Sequence, residues 1–235
     1  MIDYASLDKL LSKNIRNELK ELLKNTPKSF NDEAKLVSIK KGKTFIQSDT
    51  TVNTLYILVK GQVKAVDYRI NEIIYDYTWF EPIEILGAME FYMGKETYIT
   101  TLVTLTDCIM ISFSNEIFRK WVEKDTDTML NLINVMLNRL NDQSKKERTF
   151  MFLSAKERMM YLFVQIYQKY NRTDVCEVKL TQDELANRCG INLRTATRTI
   201  HSLCEENMIT KKNRKLYIGY SQYKHMEEKL NEIIY

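Results

Sequence analysis

The stretch from Thr181 to Leu216 leaves this chain few folds to choose from. It reads Thr181-Gln182-Asp183-Glu184-Leu185-Ala186, then Arg188-Cys189-Gly190-Ile191-Asn192, then Leu193-Arg194-Thr195-Ala196-Thr197-Arg198-Thr199-Ile200. Thr181 with Glu184 three residues on is a capping box, so a helix starts there. Gly190 supplies the permissive backbone of a tight turn that ends it. Ala196, Ile200 and Leu203 then recur at i, i+4 and i+7, the buried face of a second helix. Arg194 and Arg198 lie one turn apart, with Thr195 between them, off that apolar row. Arginine can bond a guanine edge bidentately and threonine can touch a thymine methyl, so such a free face suits the major groove of DNA. Met208-Ile209-Thr210 and Leu216-Tyr217-Ile218 flank the basic turn Lys211-Lys212-Asn213-Arg214-Lys215. They predict two short strands, a wing able to meet phosphates. The plain alternative is an ordinary solvated helix pair; the arginine spacing and the basic wing weigh against it.

The charge supports this placement. Residues 150–235 hold 14 Lys and Arg against 10 Asp and Glu, while residues 1–149 hold 21 of each. The whole net charge of +4 therefore lies in the half with the winged helix, where nucleic acid would be met. A chain of 235 residues has room for two cores, and 44% hydrophobic with 28% charged residues is a globular composition. No apolar run approaches the roughly 18 residues of a membrane span. Met1-Ile2-Asp3-Tyr4 has no basic region followed by an apolar one, so no signal peptide is read and a cytoplasmic protein is expected. Cys108, Cys176, Cys189 and Cys204 are sparse and far apart, which fits reduced buried thiols rather than a disulfide framework.

Upstream, the period of the sequence changes twice. Leu11, Ile15, Leu19 and Leu22 predict an amphipathic helix over residues 3–25, closed by Pro27. From Lys35 to about Phe113, short runs rich in Val, Ile, Tyr and Thr alternate with turns. Strands are predicted over 36–39, 44–46, 55–59, 63–66, 73–77, 98–104 and 108–111, the pattern of an all-β sandwich or barrel. A long helix is then predicted over 127–152. Met129, Ile133, Met136 and Leu140 form one stripe on it; Leu130, Ile133, Leu137 and Leu140 form a second. One stripe can cover the β domain and the other a twin helix, so Met129, Ile133, Met136, Leu137 and Leu140 are candidates for a dimer seam. Burial of the helix within one subunit is the alternative. Ser154 with Glu157 is another capping box, which places a hinge near Phe152. The predicted architecture is α+β: residues 1–124 an N-terminal helix and β-roll, 125–152 a long dimerisation helix, 153–235 a winged helix-turn-helix.

In this order the elements resemble the cyclic-AMP receptor protein/FNR family of bacterial transcription regulators. The resemblance is carried by Leu55-Tyr56-Ile57-Leu58-Val59-Lys60-Gly61-Gln62-Val63, similar to the family's strand–Gly–strand hairpin, by Ser154-Ala155-Lys156-Glu157-Arg158, and by residues 180–209. It implies a cyclic-nucleotide-binding-like β-roll and a homodimer acting on a pseudo-palindromic site in double-stranded DNA. It implies that Arg198 reads a base, that Thr195 and Asn192 contact DNA, and that Thr181 and Gln182 lie near the backbone. With Arg194 and the wing residues Lys211, Lys212 and Arg214, these are the candidate DNA-binding residues. RNA polymerase and an unidentified small-molecule effector are open as further partners; a membrane is not. Gly87, Ala88, Met89, Glu90, Thr97 and Tyr98 mark the segment of the family's effector cassette. There the chain departs from the pattern. Cyclic-AMP binders place a glutamate after the glycine and an Arg-Ser pair some ten residues on, whereas here Ala88 follows Gly87 and Lys95-Glu96-Thr97-Tyr98-Ile99-Thr100 holds no arginine. A phosphate buried without a cation or ring of donors is costly, so cyclic-nucleotide binding is not expected. The family's oxygen sensors use N-terminal cysteines around an iron–sulfur centre, and no cysteine precedes Cys108.

Little else carries chemistry. His201 and Cys204, at i and i+3, could form one edge of a metal site, but no second pair is visible. Cys189 and Cys204 near the helix-turn-helix could serve as a redox switch, though small buried apolar side chains are the simpler role. There is no GxGxxG, P-loop, catalytic triad or carboxylate pair, so no enzyme, cofactor or metal is read. The rival reading is a ligand-sensing or partner-binding module with a vestigial helix-turn-helix.

Overall fold

The computed structural model describes residues 7, 10–68, 74–170 and 173–234. The chain divides into two compact units, Met1–Asp67 with Tyr77–Asn141 and Tyr68–Asp76 with Asp142–Tyr235.

The first unit opens with helices α1 (Lys13–Leu23) and α2 (Lys28–Glu33). Much of the start of the predicted 3–25 helix lies outside the described residues. Leu7 and Leu10 are helical, but the chain bends at Leu11 and the Ser12 hydroxyl accepts the Ile15 N–H, so α1 starts afresh there. Strands β1 (Lys35–Ile39), β2 (Thr44–Ile46), β3 (Thr54–Lys60), β4 (Val63–Tyr68), β5 (Ile74–Phe80) and β6 (Glu84–Leu86) follow. Then come the short helix α3 (Ala88–Tyr92), β7 (Thr101–Thr104), β8 (Cys108–Ser114) and helix α4 (Asn115–Lys124). Ile73, at the head of a predicted strand, is outside the described residues.

Two antiparallel four-stranded sheets form, in the orders β1-β8-β3-β6 and β2-β7-β4-β5. β3 shows why these residues make strand. Its alternate residues Leu55, Ile57 and Val59 pack with Phe113 on β8 and with helix residues Leu19, Phe30, Phe118 and Trp121. Leu58 on the opposite face packs with Val63, Ala65, Leu102 and Met110 in a second cluster, with Tyr56 at its edge. Both faces are covered, so the run is apolar without a break while the period of two still sorts it. Gly61 turns the chain between β3 and β4 at φ +99°, which favours glycine. A Cβ there would lie 2.6 Å from Cys108 Sγ and 2.7 Å from the Asp107 carbonyl.

Helix α5 (Thr126–Phe152) has 27 residues, about 40 Å at 1.5 Å per residue. Its two predicted stripes face different ways. Met129, Leu132 and Met136 pack on the core beneath β3. Leu130, Leu137 and Leu140 stay 51%, 56% and 45% exposed. Of the seam candidates, Met129 and Met136 lie in the roll-facing row, because the 3.6-residue period turns them toward the sheet. Arg139, on the same side, grips the buried Glu84 through both guanidinium nitrogens, with 2.8 Å from Nη1 to Oε1, and lies over the Phe80 ring.

The second unit holds α6 (Ala155–Tyr170), β9 (Val175–Val178), α7 (Gln182–Cys189), α8 (Leu193–Glu205), β10 (Thr210–Lys212), β11 (Lys215–Gly219) and α9 (Tyr220–Ile234). Ser154 and Glu157 cap α6 reciprocally, backbone to side chain in both directions. One core joins Met159 and Phe163 of α6, Leu185 of α7, Ala196, Ile200 and Leu203 of α8, and Ile218 of β11. The strands form one sheet in the order β10-β11-β9. α9 closes the unit by stacking Tyr223 on Tyr167 at 4.5 Å.

Candidate nucleic-acid interface

Helices α7 and α8 meet at Gly190, whose left-handed backbone (φ +63°) sends its N–H and that of Ile191 back to the last turn of α7. Both helices begin with side-chain caps. Thr181 Oγ1 accepts the Glu184 N–H at 3.2 Å while Glu184 Oε2 accepts the Thr181 N–H at 2.7 Å. Asn192 Oδ1 accepts the Thr195 N–H at 2.8 Å. Thr181 Oγ1 and Asn192 Oδ1 are therefore engaged in holding helix ends, which leaves the Asn192 amide nitrogen available outward.

The buried and free faces of α8 separate cleanly. Ala196, Thr199, Ile200 and Leu203 are buried, whereas Leu193, Arg194, Thr197, Arg198 and His201 are exposed. Thr195 is half-buried, about a sixth of a turn beyond Arg198 and away from Thr197, so the exposed hydroxyl on this face is that of Thr197. Thr197 Oγ1 lies 3.0 Å from Gln182 Oε1 and ties α8 to the first turn of α7. Sequence spacing alone did not single out Thr197 or Leu193, since Thr195 and Thr197 lie equally far from the midpoint of the two arginines and only burial separates them.

The wing is tighter than the sequence suggests. Asn213 and Arg214 alone form its turn, both at positive φ (50° and 64°), in the pattern of a two-residue hairpin. Lys211 and Lys212 are corrected from turn to strand β10, where Lys212 pairs with Lys215. All of Lys211, Lys212, Arg214 and Lys215 are exposed, and Lys215 is bridged to Glu177 at 2.8 Å.

In the roll, the cassette segment is filled by its own side chains. Gly87 caps α3 at φ +92°, and a Cβ on it would touch Leu55 and Tyr98. Tyr98 is 5% exposed, and its hydroxyl donates to the Thr54 carbonyl. Burial pushes this phenol up to about 12, so it stays a neutral donor. Glu90 is 6% exposed and its carboxylate accepts the Ile99 N–H at 3.2 Å. Ala88 is buried and Met89 half-buried, but Thr97 is exposed, bridged to Thr51, and does not join Tyr98 and Glu90 inside. The four thiols are all free; burial raises each, Cys189 to about 12, which makes them poor nucleophiles.

Two family models match the chain in sequence: a cyclic nucleotide-binding domain over residues 36–125 and a Crp-like helix-turn-helix domain over residues 157–220. The chain belongs to the cyclic-AMP receptor protein/FNR family. Among relatives of this Crp/Fnr protein is the HTH-type transcriptional regulator ArcR of Staphylococcus aureus, 24% identical over 187 residues that cover 76% of this chain and 77% of ArcR. Similar solved structures include the c-di-GMP responsive global regulator CLP of Xanthomonas campestris, with TM-score 0.73, 18% identity and coverage of 81% and 96%. A Crp/Fnr-family regulator from Eubacterium rectale matches with TM-score 0.69, 17% identity and coverage of 94% and 97%. These likenesses describe the fold. Like the relatives, this Crp/Fnr protein is a transcription regulator with a helix-turn-helix and not an enzyme. Among its described residues no helix is long and apolar enough to cross a membrane.

Proposed function

We propose that the protein is a cytoplasmic homodimer that binds a pseudo-palindromic DNA site sequence-specifically and does not bind cyclic nucleotides. The observation that carries DNA reading is the free face of α8, where Arg194, Thr197 and Arg198 stand exposed over a row of buried anchors. Two copies related by a two-fold would set these helices in successive major grooves about 34–36 Å apart. The exposed row Leu130, Leu137 and Leu140 supports a helix-to-helix seam. Against cyclic nucleotides stand Ala88 in place of a glutamate and Glu90, whose buried carboxylate already takes up an N–H in the segment where the family holds a phosphate. A second anion there would meet repulsion and desolvation together. RNA polymerase is a candidate partner of the DNA-bound dimer.

Arg198 is proposed to specify a base and Lys212 to meet phosphate. Arg198→Ala should cost roughly 1–3 kcal/mol per half-site and relax preference at one base pair. Lys212→Ala should weaken all DNA alike and lower the salt slope by about 1 per subunit. Titration against a selected operator, its single-base variants and random DNA at several salt concentrations separates the two. Equal loss on every sequence for Arg198→Ala would make it a phosphate clamp and overturn the groove assignment.

A further inference from the structure

A cavity of about 510 Å³ lies within the first unit, between α1, β6 and the start of α5. That volume falls in the range of small-molecule sites, which join apolar walls to a few placed polar groups. Here the walls are Leu22, Ile85, Ala88, Leu132 and Met136. The polar groups are Glu18 and Glu21 on α1, Thr128 and Asn131 on α5, and Glu84 on β6. The cavity shares only Ala88 with the cassette segment: Gly87, Met89, Glu90, Thr97 and Tyr98 do not line it. It is also separate from the proposed dimer seam, since none of Leu130, Leu137 and Leu140 lines it.

We propose that this cavity is an effector site for a small organic cation, an amine or guanidine on a compact apolar body. The chemistry of the lining sets the class. Its charged groups are all carboxylates, and they differ in what they can take. Both Glu84 oxygens are held by Arg139, and Glu21 has Lys24 at 3.8 Å in solvent. Glu18 has no ion-pair partner among the described residues, so it is the carboxylate open to a ligand's charge. The apolar walls take the ligand's body, and an anion would face uncompensated like charge. The site also has a readout. Met136 and Arg139 are i and i+3 on one side of α5, so a molecule pressing on Met136 also bears on the Arg139–Glu84 pair that fastens α5 to the roll. Ala88, the first residue of α3, forms part of the same wall, so α1, α3 and α5 would be linked through one ligand.

The proposal goes beyond the DNA reading and is tested without DNA. Calorimetry on the full chain would use three probes with one ring body: phenethylamine, 2-phenylethanol and 3-phenylpropionate. Phenethylamine should bind saturably at one site, the alcohol about fivefold more weakly, and the acid weakest. Val135→Trp, at a rim position 47% exposed, should fill the cavity and abolish binding without entering the core. Asn131→Trp, also exposed on the lining, gives the same block from another position should the first variant misfold. Glu18→Gln should weaken phenethylamine about fivefold and leave the alcohol unchanged. Absence of saturable binding by any probe overturns the site, as does binding indifferent to both tryptophans. The acid binding best overturns the assigned charge. None of these results touches the operator titrations, which stand or fall on their own.

Discussion

Leu137→Lys should convert the proposed dimer to monomer while leaving the single chain folded. Leu130, Leu137 and Leu140 remain 51%, 56% and 45% exposed in one chain. Full burial of a leucine is worth about 1.5–3 kcal/mol, so covering the exposed half yields about 1 kcal/mol per side chain. Six such side chains, three from each copy, give roughly 6 kcal/mol. Association itself costs an estimated 4–15 kcal/mol. The row therefore has no large surplus, and other contacts must add to it. Leu137→Lys removes about 1 kcal/mol from each copy. It also brings two ammonium groups toward one seam, where snorkelling relieves only part of the desolvation, about 1 kcal/mol more per copy. The total, about 4 kcal/mol, raises the dimer dissociation constant roughly a thousandfold. Sedimentation equilibrium over a range of protein concentrations measures that constant, with circular dichroism melting as the check on folding. Leu137 is a cleaner probe than Ile133, whose half-buried side chain would mix association with folding. A folded Leu137→Lys protein whose dimer constant lies within about threefold of the parent's would place the seam elsewhere and refute the reasoning.

Two further outcomes concern the roll. Gly61→Ala should destabilise the protein by about 3 kcal/mol in urea titration, since the new Cβ would meet Cys108 Sγ at 2.6 Å at a φ of +99°. Gly42→Ala, at φ +78° in open space, should cost only about 1 kcal/mol; equal effects would mean that the contact with Cys108 does not matter. Tyr92 and Tyr98 are held at about 12 by burial, above the ordinary value of 10.0. Between about pH 10 and pH 12 the unfolded chain releases these protons before the folded one, so the unfolded state binds fewer and stability falls as pH rises; below pH 10 neither contributes a slope. Tyrosinate absorbance should show a late-titrating fraction that disappears in urea, and its absence from the folded protein would contradict the burial.

The sequence made long periodic elements legible and left single-turn and three-residue ones hidden. α5, α7, α8 and most strands follow from spacing and caps, because each repeats its signal several times. β6 does not: Glu84, Ile85 and Leu86 are all buried, so no alternation marks them. Helix α3 is five residues long and starts at a glycine rather than a capping side chain. Tyr98 lay in a predicted strand, yet β7 begins only at Thr101, since Tyr98 is turned inward to donate to Thr54. The free face of α8 was readable from the arginine spacing, whereas the Gln182–Thr197 contact was not, because it depends on the angle between two helices. The Glu84–Arg139 pair joins residues 55 positions apart, and no local pattern announces it.

The caps of the helix pair set limits on how this protein could be retargeted. Thr181 and Asn192 keep two helix ends closed, and Ala196, Thr199, Ile200 and Leu203 fill the core. A library that randomised those six positions would mostly return unfolded chains. Leu193, Arg194, Thr197, Arg198 and His201 are exposed and carry no such duty, so they can be varied with the scaffold intact. Thr197 is the position to vary together with Gln182, because the two side chains share one contact. The freedom to acquire a new operator is thus concentrated in five side chains and one partner.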